Sequence, residues 1–119
     1  MEITFRRREK TTTRTRMVWA ADSQDGRETY ERTSRTKAAL AFCRKHPDKD
    51  FTFTFPPTDE ANHPTIVLLG KDEDRWAIKT SHNVVMSRHG NLPNAISALF
   101  GNFPFVEEFQ IALSNTKGG

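Results

Sequence analysis

Residues 51–55, FTFTF, constrain the fold of this chain more than any other segment. Phenylalanine alternates strictly with threonine, and a period of two directs successive side chains to opposite faces of a β-strand. The sequence therefore predicts a strand that buries Phe51, Phe53 and Phe55. Because nine of the 119 residues are Phe while only 35% are hydrophobic, aromatic rings must supply much of a small core.

Alternation also predicts strands in the first third of the chain. Residues 2–8 and 12–21 alternate apolar or threonine side chains with mostly basic ones, which is typical of half-buried strands. Met17 and Trp19 are predicted to share the core face of the second strand. After a Gly-containing turn, a third strand over residues 27–33 completes a predicted antiparallel meander.

Two helices are predicted from capping residues and helical spacing. Ser34 precedes a helix over residues 35–46, and Asn91 precedes a helix that runs to Phe100, with Gly101 just past its end. The predicted buried faces are Ala39, Phe42, Cys43 and His46 in the first helix and Leu92, Ile96, Leu99 and Phe100 in the second.

The second half repeats the order of the first. Its predicted strands are residues 65–69, 75–80, 83–87 and 105–113, with an acidic turn after the first. A shift of 57 residues aligns Trp19 with Trp76 and the cap Ser34 with the cap Asn91. The tail also fits a helical pattern, and the repeat favours a strand. Chance similarity between two small segments is the alternative to a duplication.

The predicted fold class is α+β, an antiparallel β-sheet with two short helices on its inner face. We expect one compact domain over residues 1–119, made of two pseudo-repeated β-β-β-α-β units at about 1–56 and 65–115 with a Pro-rich connector over 56–64.

The net charge of +3 conceals an uneven distribution. Residues 1–49 carry 13 Lys and Arg against 7 Asp and Glu, whereas residues 50–119 carry 5 against 8. The basic residues are densest between Arg6 and Arg16. A basic half favours a polyanionic partner such as nucleic acid, or an acidic protein surface.

A predicted N-terminal hairpin carries the strongest functional signal. Arginines on its solvent face can bind phosphate groups bidentately and fix a nucleic-acid backbone with little sequence preference. The alternative is a solvated sheet face whose charges protect an edge. The predicted contacts are Arg6, Arg8, Arg14 and Arg16, with Arg7, Lys10, Arg27, Arg32 and Lys37 as secondary contacts.

Catalysis and metal binding have little support in the sequence. Cys43 and His46 are three residues apart with Asp48 close by, but both lie on the apolar face of their predicted helix. A single cysteine excludes an internal disulfide, and the histidine spacing does not match a zinc site. The acidic run 72–74 is typical of a solvated hairpin tip. We therefore expect a protein that is not an enzyme and has no cofactor and no metal.

The cellular setting is predicted from segments that the sequence lacks. No run approaches the about 18 apolar residues of a membrane span. The first residues, MEITFRRREK, have no apolar core of a secretory signal. One unpaired cysteine fits a reducing compartment. These features predict a cytoplasmic protein that does not associate with membranes.

Two resemblances follow from the order of the elements. Three strands and a helix, with a turn at Asp25-Gly26 and a Thr-rich entry to the helix, resemble the arm-binding domains of tyrosine integrases, which lay a three-stranded sheet on duplex DNA. Residues 50–100, read as four strands and a helix, resemble the Whirly and Pur-type single-strand binders, which also use duplicated halves. Both resemblances imply nucleic-acid binding, and neither assigns site residues.

The sequence thus favours a non-enzymatic nucleic-acid-binding module that engages the phosphate backbone through its basic N-terminal hairpin. DNA and RNA, and single and double strands, stay equally open. The alternative is a small protein-binding adaptor or inhibitor, of a mobile-element or phage type, that acts by surface docking.

Overall fold

Seven strands and two helices occur in residues 2–11, 15–21, 30–57, 63–104 and 106–115, the part of the chain that the computed structural model describes. At Lys10, Thr11, Thr15, Arg16 and Asn115 this description covers the backbone only. The elements are β1 (Glu2–Thr11), β2 (Thr15–Ala20), α1 (Arg35–Arg44), β3 (Lys49–Phe55), β4 (Thr65–Asp72), β5 (Arg75–Thr80), β6 (Val85–His89), α2 (Leu92–Gly101) and β7 (Glu108–Asn115).

All seven strands form one antiparallel sheet in the order β2-β1-β7-β3-β4-β5-β6. The C-terminal strand β7 therefore lies between β1 and β3, where Phe109 is opposite Phe5 on one side and Ile111 is opposite Phe53 on the other. This arrangement confirms the predicted α+β class, and it also confirms that the tail forms a strand.

The row of phenylalanines on β3 is the centre of the core. Phe51, Phe53 and Phe55 are at most 2% exposed, as the alternation predicts. The ring of Phe42 from α1 meets Phe51 at 6.5 Å, and the ring of Phe100 from α2 meets Phe53 at 5.9 Å, both edge to face. Both helices thus pack on the same face of the sheet, in the ring geometry that aromatic pairs prefer.

The two helices begin where their capping residues predict. The Ser34 hydroxyl accepts a hydrogen bond from the backbone N–H of Lys37 at 3.1 Å, and the Asn91 side chain accepts one from the N–H of Asn94 at 2.9 Å. Each cap satisfies a donor of the first turn that has no partner within the helix. Neither of these described helices is long and apolar enough to cross a membrane.

The helix ends differ slightly from the prediction. Helix α1 ends at Arg44, two residues early, because Lys45 is the C-cap. Gly101 is the last residue of α2 and not the residue beyond it. The first turn of α1 is fastened to the end of α2 by Arg35, whose guanidinium donates to the carbonyl oxygens of Phe103 at 2.5 Å and Phe100 at 3.2 Å.

The predicted boundary of β6 is also shifted, from residues 83–87 to Val85–His89. The reason is the loop before it, in which the Thr80 hydroxyl accepts hydrogen bonds from the backbone N–H groups of His82 and Val84, both at 3.2 Å. Asn83 adopts a φ of 66° in this loop. Asparagine tolerates that conformation better than most residues. Residues 83 and 84 therefore belong to the loop, and the strand begins at Val85.

The prediction for Met17 is wrong, since its side chain is 45% exposed while Trp19 is buried. Strand β7 pairs with β1 only from Glu2 to Arg6, so the far part of the β1–β2 hairpin extends past its neighbour in the sheet. Met17 lies opposite Glu9 in that extension. Alternation along a strand predicts which face a side chain is on, but it does not show how far neighbouring elements cover that face.

The predicted third strand is described only from Tyr30 onward. Trp19 and Arg32 exchange backbone hydrogen bonds of 2.8 and 2.9 Å, and the N–H of Tyr30 donates to the carbonyl of Ala21 at 2.8 Å. Tyr30 is buried against the rings of Phe5 and Phe42.

The backbone pairing is relevant to the predicted repeat. Trp19 pairs with Arg32, and Trp76 pairs with His89, so the two pairs are related by the same 57-residue shift that aligns the sequence. The duplication itself stays a prediction.

The β4–β5 turn offers a test of backbone strain. Glu73 has a φ of 62°, a conformation that costs a residue with a side chain about 1 kcal/mol or more. We expect Glu73→Gly to raise the free energy of unfolding by about 0.5 kcal/mol in urea titrations, because strain relief exceeds the entropy cost of glycine. Asp74→Gly is the matched control at negative φ and should lower it. A lower stability for Glu73→Gly would contradict the strained turn.

Candidate nucleic-acid interface

The arginines of β1 are divided between the two faces of the sheet. Arg6 and Arg8 are exposed on the face opposite the helices, as predicted from alternation. Arg7 is out of phase with them, and the register places it opposite Trp19 on the helix side. The three consecutive arginines therefore cannot all meet one ligand surface.

The other predicted contacts of the hairpin are only partly described. Lys10 is two residues after Arg8 on β1, and the backbone register pairs it with Arg16 of β2. Arg14 and Arg27 lie outside the described residues.

Two glutamates oppose the arginines of β1, Glu107 just before β7 and Glu108 at its first position. The Nε of Arg6 lies 2.8 Å from the Oε2 of Glu108, and the Nη1 of Arg7 lies 3.8 Å from the Oε1 of Glu107. Reasoning from sequence missed both pairs, because about a hundred residues separate the partners until β7 is placed beside β1. The base of the hairpin is consequently less positive than its sequence indicates.

A second basic surface is a groove between α1 and the segment around Tyr30. Its volume is about 590 Å³. The described residues that line it, here called the α1 groove, are Tyr30, Arg32, Lys37, Leu40, Ala41, Arg44 and Lys45. Arg32 and Lys37 were predicted contacts, whereas Arg44 and Lys45 were not.

Helical spacing explains how α1 builds both the core and this groove. Ala38, Ala39, Phe42 and Cys43 form the buried stripe of the helix. Lys37, Leu40, Ala41 and Arg44 are spaced i, i+3, i+4 and i+7, so they form a second stripe on a neighbouring face. This stripe has a cation at each end and aliphatic side chains between them. The spacing is visible in the sequence, and it is the signal that would have identified Arg44.

The electrostatics of the α1 groove favour an anion. Each charged side chain among its described lining residues is basic. Within the described part of the chain, no carboxylate lies within ion-pair distance of Lys37 or Arg44. Arg32 donates from Nη1 to the carbonyl oxygen of Glu31 at 2.7 Å, a contact that orients the guanidinium and occupies one of its five donors.

Arg44 also has a structural role, since it lies in the last turn of α1. A cation there interacts favourably with the helix dipole. Stability and ligand affinity therefore have to be measured separately when Arg44 is changed.

The aromatic side chains that could stack on nucleic-acid bases are packed in the core. Trp19 is 7% exposed, Trp76 8% and Tyr30 3%. The predicted core position of Trp19 is confirmed, Trp76 is also a core residue, and Tyr30 lies on the helix side of the sheet. The described lining of the α1 groove therefore consists of cations, aliphatic side chains and the buried Tyr30.

The cysteine and histidine that could be considered for catalysis both pack against the core. Cys43 is fully buried, and burial raises the pKa of its thiol far above the ordinary value. The imidazole of His46 packs on the ring of Phe42 at 5.0 Å. Among the described residues no group of three His, Cys, Asp or Glu is arranged to hold a metal ion.

The acidic tip of the β4–β5 hairpin is partly neutralised. Asp72 accepts a hydrogen bond from the Nε of Arg88 at 3.2 Å, and both side chains are substantially exposed. An exposed pair of this kind contributes little to stability.

No family model, curated protein or solved structure matches this chain. The class of ligand therefore has to be inferred from the side chains that line the α1 groove and the hairpin.

The buried thiol gives a test of the packing beneath the α1 groove. Because the Cys43 thiol is desolvated and its pKa is raised, it should be protonated and inaccessible in the native protein at pH 8. We expect a thiol reagent to modify it at least about 100-fold more slowly than in urea-unfolded protein, since reaction requires local opening. Equal rates would show that the face of α1 that carries Cys43 is not packed against the core.

Proposed function

We propose that this protein is a non-enzymatic nucleic-acid-binding module that engages the phosphate backbone. The observation that carries the proposal is the α1 groove, a concave surface on which every described charged residue is basic. Phosphate contacts by Lys and Arg release counterions from nucleic acid, and this release supplies affinity without sequence preference.

The basic half of the chain extends this surface. The segment that carries Arg32 is hydrogen-bonded to β2, so the α1 groove lies beside the hairpin. Arg7 faces the helix side, as the groove does, and is 46% exposed in its side chain. We propose that the hairpin supplies further phosphate contacts, with Arg6 and Arg8 on the opposite face of the sheet.

The proposed partner is DNA or RNA, and the proposed setting is the cytoplasm. Support for a reducing compartment comes from Cys43, a thiol that is buried and unpaired. Support for binding without catalysis comes from the same residue, because a fully buried thiol is not positioned to attack a substrate.

A protein-binding adaptor or inhibitor is the second candidate, and a different surface favours it. Strand β6 ends the sheet, and it carries Met86 at 45% exposure with Val84 at 61% just before it. An open edge with apolar side chains can pair with an extended segment of a partner protein. A stoichiometric partner that survives nuclease treatment and is lost with Met86→Lys would support this candidate over nucleic-acid binding.

The first test is fluorescence polarisation with a labelled oligonucleotide at several salt concentrations. Removing one phosphate contact with Arg32→Gln, Lys37→Gln or Arg44→Gln should weaken binding by about 3- to 10-fold and reduce the salt slope by about one. Arg75→Gln is the matched control, because Arg75 is an exposed arginine on β5, outside the groove, and its loss changes the net charge equally.

Two outcomes would contradict the proposal. One is the absence of binding at about 50 mM salt, where nonspecific affinity is high. The other is an equal loss of affinity in Arg75→Gln, which would show that net charge and not the α1 groove determines binding. Circular dichroism of Arg44→Gln separates a loss of contact from a loss of helix.

The second test asks whether the Arg6 face of the hairpin takes part. The carboxylate of Glu108 competes with phosphate for the Arg6 guanidinium at 2.8 Å, so Glu108→Gln should tighten binding by about 2- to 5-fold. Glu107→Gln is the matched control, and its effect should be smaller because the Glu107–Arg7 contact is 3.8 Å. An unchanged affinity in Glu108→Gln would exclude the Arg6 face of the hairpin from the interface.

A further inference from the structure

We infer that the α1 groove takes an unpaired stretch of nucleic acid, with a base against its aliphatic centre and phosphate groups at its two ends. The inference rests on the proposed function and names the form of the ligand. It follows from three properties of the groove: the chemistry of its centre, the spacing of its cations along α1, and its concavity.

The centre of the α1 groove is apolar. Leu40 and Ala41 are only partly buried, and they line the groove between the cations together with Tyr30. Phosphate gains nothing from contact with aliphatic carbon, so a ligand that only supplies phosphates would leave this surface facing water. In a duplex the flat faces of the bases are stacked inside, whereas an unpaired strand exposes them. An unpaired base can therefore cover the floor that a duplex backbone leaves uncovered.

The spacing of the cations fits a ligand with more than one phosphate. Lys37 and Arg44 are seven residues apart on α1, which is about 10 Å along the helix axis at the usual rise. Cations anchored that far apart on the helix can each contact a different phosphate group. A strand that crosses the groove can place one phosphate at each end and direct the base between them toward Leu40 and Ala41.

The volume of the groove is sufficient for this arrangement. At about 590 Å³ it lies within the range of pockets that hold small organic ligands. A concave site of this size can enclose a nucleotide unit, whereas phosphate contacts of a duplex need only a convex or flat basic surface. Since Trp19 and Trp76 are buried, the base would rest on aliphatic side chains, and we expect little preference among the four bases.

The experiment compares a labelled 12-nucleotide single strand with the same strand paired to its complement, in full-length protein at matched salt. The wild type should bind the single strand at least about 5-fold more tightly than the duplex. Leu40→Gln should weaken single-strand binding by about 3-fold and leave duplex binding unchanged, because it replaces only the apolar floor.

A variant that is expected to tighten binding separates a change in ligand contact from a loss of folding, because an unfolded protein cannot bind more tightly. Ala41→Phe adds a ring to the floor, and a base stacked on it should tighten single-strand binding by about 5-fold or more without tightening duplex binding. Ala98→Phe is the matched control, because Ala98 is also a partly buried alanine on the helix layer but lies on α2, away from the groove. Ala98→Phe should leave both affinities unchanged.

The outcomes separate this inference from the proposed function. The inference is overturned if the single strand and the duplex bind equally, or if neither Leu40→Gln nor Ala41→Phe changes the affinity for the single strand. Binding of the phosphate backbone through Arg44 can still hold in either case. No binding of either ligand at low salt, or no effect of Arg44→Gln on either, overturns the proposed function itself.

Discussion

The position of β7 between β1 and β3 is the constraint on which the rest of the structure depends. Phe109 on this strand stacks on Phe5 at 5.0 Å and on Phe53 at 6.1 Å, so one ring joins the N-terminal hairpin to the central strands. Phe100 of α2 meets the same ring at 4.9 Å. Because the chain is poor in aliphatic residues, these ring contacts replace the larger core that other domains of its size contain. Without β7 the hairpin would have no neighbour on its β1 side.

The same placement decides how much of the basic charge is available to a ligand. Strand β7 brings Glu107 and Glu108 to Arg7 and Arg6, which lowers the positive charge at the base of the hairpin. In the α1 groove each charged residue of the described lining is basic. The densest run of arginines in the sequence is therefore partly paired with carboxylates, whereas Lys37 and Arg44 of α1 have no carboxylate within ion-pair distance among the described residues. Charge density along a chain is a poor guide to surface potential when a distant strand supplies the counter-charges.

Local sequence patterns predicted most of the strands and helices correctly. The wrong or missing predictions concern features that depend on how these elements pack against one another. The alternation through Phe53 and the caps Ser34 and Asn91 depend on neighbouring residues, so the sequence shows them directly. The exposure of Met17 depends on where β7 stops pairing with β1, which no local pattern reveals. For the site, Arg32 and Lys37 were predicted as secondary contacts of the ligand, but their convergence on one groove requires the pairing of residues near Tyr30 with β2.

Helix α1 belongs both to the core and to the α1 groove, because one of its stripes packs on the sheet and the neighbouring stripe lines the groove. Phe42 and Cys43 hold the helix on the sheet, and burial at these positions fixes the rotation of the helix about its axis. Once that rotation is set, the stripe from Lys37 to Arg44 has to face the segment around Tyr30. Core packing therefore places one wall of the groove, and the segment around Tyr30, hydrogen-bonded to β2, supplies the other. A site built on a packed helix is preorganised, so a ligand spends little of its binding free energy on ordering the protein.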